Sequence, residues 1–80
     1  MTNVNYLQAL MIYRKDNVAK LCRETGKQES NFGAKVKGRK EFRQSDIALL
    51  IDRYNLTPEQ VITIFFPEFA DGKLEAGLAE

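Results

Sequence analysis

The chain has no histidine and a single cysteine, Cys22, which excludes the Cys/His zinc patterns and any disulfide within the chain. No stretch approaches the roughly 18 uninterrupted apolar residues that a membrane span needs. Nor does a basic patch followed by an apolar run open the chain, as it would in a secretory leader. The expectation is a cytoplasmic protein with no membrane association. A phosphate-cradling glycine loop, a nucleophile motif and metal-spaced ligands are missing too, so the sequence gives no ground for an enzyme, a metal site or a cofactor. Alternating β patterns, internal repeats and low-complexity runs are also lacking.

What is present is one modest core's worth of apolar residues. At 80 residues and 44% apolar content, the chain suffices for one compact domain and is too short for two. The net charge of +1 conceals an uneven distribution. From Arg14 to Arg43 there are ten basic residues against four acidic, a balance of +6, whereas Gln44 to Glu80 carries −5 and residues 1–13 carry no charge. A basic centre with an acidic end fits a domain with one nucleic-acid face, because Lys and Arg supply most sequence-independent affinity for phosphates. It fits an ordinary solvated helical surface equally well.

Apolar spacing predicts five helices. The first spans 3–14, with Val4, Leu7, Leu10, Met11 and Arg14 on one face. Asp16 or Asn17 caps a second, whose inner face is Val18, Leu21, Cys22 and Thr25 and whose end is Gly26 in a left-handed conformation. Cys22 reads there as a small buried hydrophobe. A third helix near 28–37 has a narrow seam, Phe32 and Val36, and stops at Gly38. Gly33 in its interior suggests either tight helix packing or close approach by a large partner. Phe42 should peg onto the core. Gln44 or Ser45 then caps a fourth helix with Ile47, Leu50, Ile51 and Tyr54 as its stripe, ending at Asn55. Thr57-Pro58-Glu59-Gln60 combines a capping box with Pro at the first helical position, opening a fifth helix to about Phe66 that buries Val61, Ile62 and Phe65. Pro67 stops it, and residues 67–80 read as an acidic tail, partly disordered or forming one weak turn.

The segment NVAKLCRETGKQESNFGAKVKG (17–38) places two short helices either side of a Gly-containing turn, which is helix-turn-helix spacing. Leu21, Cys22, Phe32 and Val36 would lock the pair together and leave short polar side chains facing out.

With Cys22, Gly26, Phe32, Val36 and Lys37-Gly38 at their spacing, the chain resembles the lambda-repressor-like (Cro/C1-type, XRE) family of phage and bacterial regulators over about residues 5–66. QESNFGAKVKG is similar to the family's recognition helix, and EFRQSDIALLIDRYNLTPEQVITIFF to a group of short temperate-phage regulators. The resemblance implies an all-α, compact five-helix DNA-binding domain over 1–66. It further implies a repressor- or Cro-like transcriptional regulator whose partner is double-stranded DNA and which forms a homodimer on two half-sites. It assigns base contacts to Glu29 and Ser30, with Gln28 just before and Asn31 and Ala34 on the same face; Asn17, Lys37, Arg39 and Lys40 fall where the family contacts phosphates. Lys35 and Arg43 join the phosphate set on charge and position alone. The chain departs from the pattern at Val18, where the family commonly has Gln, at Thr25 and Lys27, where apolar residues are usual, and at Glu29, which brings negative charge to the DNA face. The competing expectation is a protein-binding helix-turn-helix module (antirepressor, antitoxin or assembly adaptor) acting through residues 61–69 with Ile64, Phe65, Phe66 and Phe69.

Overall fold

A computed structural model describes residues 1–70, and those residues form helices and turns without a β-strand. The helices are α1 (Val4–Tyr13), α2 (Val18–Thr25), α3 (Glu29–Val36), α4 (Gln44–Tyr54) and α5 (Pro58–Phe65), followed by a 3-10 turn over Pro67–Phe69. Most of the acidic tail expected from the sequence, residues 71–80, lies outside the described residues. The described residues fall into two compact units: Val4–Glu41, and Met1–Asn3 together with residues 42–70.

In the Val4–Glu41 unit, α3 packs against both α1 and α2. Leu7, Leu10 and Met11 of α1, Leu21 and Cys22 of α2 and Phe32 and Val36 of α3 are all buried, following the three- and four-residue spacing of the sequence. Arg14, expected on the inner face of the first helix, is exposed because α1 ends before it. Asn17 is the cap of α2: its side-chain oxygen accepts from the Lys20 N–H at 2.8 Å. Gly26 ends that helix at φ 78°, where a residue with a Cβ would be strained. Gly38 does the same for α3 at φ 83°; the Gly38 and Arg39 N–H groups return to the Lys35 and Ala34 carbonyls at 3.0 and 2.8 Å. A further orphan carbonyl, that of Val36, accepts from the Gln8 side-chain amide at 2.9 Å and ties α1 to the end of α3.

The end of α1 was not legible in advance. Lys15 sits at φ 56°, and the N–H groups of Lys15 and Asp16 donate to Ile12 and Met11, the left-handed ending for which α2 and α3 use glycine and α4 uses Asn55. A left-handed residue with a Cβ costs roughly 1–2 kcal/mol, part of which glycine returns as unfolded-chain entropy. Lys15→Gly should therefore stabilise the protein by about 0.5–1 kcal/mol, visible as a Tm rise of a few degrees. A fall in Tm would mean that the Lys15 side chain contributes more than its backbone loses.

In the second unit Leu50, Tyr54, Leu56, Ile64 and Phe65 are buried, and the Phe42 ring meets Phe65 edge-on at 5.7 Å between centroids, as the peg expected from the sequence. The capping box of α5 forms as read: Gln60 N–H donates to Thr57 Oγ1 at 3.2 Å and Thr57 N–H to Gln60 Oε1 at 2.9 Å. Helix α4 differs. Its cap position is Arg43, earlier than the expected Gln44 or Ser45, because the Asp46 carboxylate reaches back to accept from the Arg43 N–H at 2.9 Å. Asp46 is only 1% exposed, and that bond is what its burial requires. Helix α5 buries Ile64 and Phe65, leaving Val61 and Ile62 half-exposed. Ile64 is wholly buried, with its carbonyl accepting from the Asn3 N–H at 2.6 Å. It and Phe65 are thus unavailable to the exposed partner-binding cluster expected over 61–69, whereas Phe66 and Phe69 remain 44% exposed.

Candidate nucleic-acid interface

Helix α3 divides cleanly into two faces. Phe32, Lys35 and Val36, spaced i, i+3, i+4, are buried. Ser30, Gly33, Ala34 and Lys37, at i, i+3, i+4, i+7, form a second stripe, exposed at its ends and half-exposed in the middle. Together with Glu29, Arg39 and Val18 this stripe lines a concavity of about 310 Å³. Lys37, Arg39 and Lys40 are all exposed just past the C-terminal end of the helix.

The structure thus brings most of the expected site residues onto one side of one unit. Gln28 is exposed and immediately precedes α3 as its cap residue, without a side-chain capping bond. Glu29 and Ser30 are exposed in the first turn, where the helix dipole favours the carboxylate. Asn31 is half-buried, and its Oδ1 accepts from Lys40 Nζ at 2.9 Å. A residue assigned to base edges and one assigned to phosphates are thereby joined. Asn17 is exposed, with its side-chain oxygen committed to capping α2.

One of the expected phosphate contacts does not belong with this set. Lys35 is only 6% exposed, because its i+3 spacing from Phe32 turns it to the inner face. It is withdrawn as an outward cation. Arg43 is exposed but belongs to the other unit, where it precedes α4.

Compared with known proteins, the chain matches no family model, no curated protein and no solved structure.

Val18, expected on the inner face of α2, is half-exposed and lines the concavity beside Gly33 and Ala34. Its position at the very start of α2, a turn ahead of Leu21, was the available signal. Gly33 also changes meaning. A Cβ there would meet the nearest atom, Val18 Cγ1, at 3.7 Å, an ordinary van der Waals contact. Tight helix packing thus does not require glycine, although glycine costs about 1 kcal/mol of helix propensity relative to alanine. Beneath the site, burial pushes the Cys22 thiol above its ordinary pKa and the negative charge of Glu29 acts in the same direction, so it stays protonated at neutral pH. Among the described residues, no group of three or more Cys, Asp or Glu side chains is placed to hold a metal ion, and no helix is long and apolar enough to cross a membrane.

Proposed function

We propose that this chain is a sequence-specific, duplex-DNA-binding transcriptional regulator of the lambda-repressor-like helix-turn-helix type, acting as a phage or prophage repressor or Cro-like protein in the bacterial cytoplasm. The observation that carries this reading is the outward stripe of α3: Glu29 and Ser30 exposed at its start, small residues in its middle, and exposed Lys37, Arg39 and Lys40 at its end. A helix of about 10–12 Å diameter fits a major groove of about 12 Å. In that pose the cations meet the phosphate backbone and fix register, while Glu29, Ser30 and the amide of Asn31 reach base edges, the carboxylate accepting from an exocyclic amino group. Two copies on half-sites about 34 Å apart would supply the specificity that one short helix lacks, which makes a homodimer the working form on DNA.

The test is a duplex-binding titration against the DNA upstream of the chain's own coding region and against random sequence. Glu29→Ala or Asn31→Ala should change the preferred sequence, since one base contact is worth about 1–3 kcal/mol of discrimination. Lys37→Ala should instead weaken all duplexes alike. Identical behaviour of the three variants would overturn the division of roles. One observation favours a second reading as a protein-binding module: Phe66 and Phe69, three residues apart in the other unit, are both 44% exposed. Absence of duplex binding even at low salt would leave that reading standing.

A further inference from the structure

The chain reverses where α3 ends. Gly38, at φ 83°, turns the backbone so that the Arg39 N–H reaches the Ala34 carbonyl at 2.8 Å, which starts the chain back along the helix. Asn31 lies one turn beyond Ala34, about 4.5 Å of rise and within reach of a lysine side chain. There Lys40 Nζ donates to Asn31 Oδ1 at 2.9 Å. Chemistry fixes which end of the amide faces Lys40: an ammonium has three donors and no acceptor, so only the carbonyl oxygen can meet it. The Nδ2 amino group bonds to no other described residue, and among the described residues no buried side-chain N or O atom lacks a partner, so that amino group is open to solvent. An unconstrained asparagine offers a base one acceptor and one donor, the match to adenine N6 and N7. Here a base amino group would have to share the Asn31 oxygen with an ammonium. What Asn31 and Lys40 present together is a pair of donors, and in the major groove guanine alone answers with two acceptors, N7 and O6.

From this we infer that Lys40 is a positioning residue that makes Asn31 a donor-only reader, so that the base it selects is guanine and adenine is disfavoured. The inference rests on the DNA-binding reading and deepens it. The resemblance gives Lys40 to phosphate alone. Its ammonium has three N–H groups, however, and the one that holds Asn31 sets base preference from outside α3, leaving the others for the backbone of the duplex.

The experiment selects duplexes from a random pool with the full chain, with Asn31→Ala and with Lys40→Met. At the position whose preference Asn31→Ala erases, the parent should select guanine and bind the adenine duplex at least about fivefold more weakly, the lower end of what one base contact supplies. Inosine, which keeps N7 and O6, should bind there as guanine does. Lys40→Met frees the amide to turn, so the guanine-to-adenine ratio should fall to near unity, with Tm unchanged because Lys40 is exposed. Lys40→Arg, still a donor-only cation, should keep the ratio. A role of Lys40 in phosphate binding or stability alone would lower every affinity, or Tm, and leave that ratio as it was in Lys40→Met. Such a result, an adenine selected by the parent at that position, or no position that answers to Asn31 would overturn the inference and leave the DNA-binding reading intact. Recovery of no duplex at all would overturn both.

Discussion

Phe32→Ala should cost the protein about 3–5 kcal/mol of stability, the usual range for emptying a buried aromatic site. Phe32 is 1% exposed and lies on the α3 face that packs against α1 and α2. The helix cannot compensate by itself: it has eight residues, one of them the interior Gly33, and helices shorter than about 12 residues are marginal in water. A chain of this size holds only about 4–12 kcal/mol in total, so the variant should be partly unfolded at room temperature. A urea titration followed by far-UV circular dichroism would show the midpoint moving sharply toward zero denaturant. Lys37→Ala, a change on the exposed face, should stay within about 0.5 kcal/mol of the parent. If Phe32→Ala lost less than about 1 kcal/mol, the ring would not be a core side chain and the two-faced description of α3 would fail.

Raising monovalent salt from 50 to 200 mM should lower the affinity of one subunit for duplex DNA by about 40-fold, given three phosphate contacts and a slope of about −0.9 per contact in log–log form. The three contacts are Lys37, Arg39 and Lys40, and a dimer doubling them should lose on the order of 10³-fold. Arg39→Ala should flatten the slope by about 0.9. Lys35→Ala should leave the slope unchanged and lower stability, because Lys35 is inside the fold. A flattened slope in Lys35→Ala would show that this lysine reaches phosphate after all. An affinity indifferent to salt would remove the phosphate role of the whole cationic group. Lys40 is expected to give a mixed result, since its ammonium also donates to the Asn31 side-chain Oδ1: Lys40→Ala should alter both slope and base preference.

Where a structural device is local, the sequence announced it. The α5 capping box, the left-handed Gly26 and Gly38, the Asn17 cap and the Phe32–Val36 seam were all legible, because each acts across one helical turn or less. Exposure along the candidate site was legible to the same degree: Gln28, Glu29 and Ser30 and the cations after Val36 are exposed, as their spacing implies. A lysine carries no sign of a left-handed backbone, which hides the end of α1, and the cap position of α4 depends on a buried Asp46 carboxylate reaching back to the Arg43 N–H, which spacing alone does not show.

What the order of residues determined alone was the all-helical character of the described residues, most of the helix boundaries, the turn glycines and the charged ends of α3, since propensity, capping and a 3.6-residue repeat operate between near neighbours. Only the tertiary structure decided which polar residues go inside and which apolar ones stay out. It buried Lys35, Asp46 and Ile64, left Phe66 and Phe69 exposed, and set Val18 of one helix across from Gly33 of the next. Burial depends on which element covers a face, and that is a relation between distant parts of the chain that no local spacing contains.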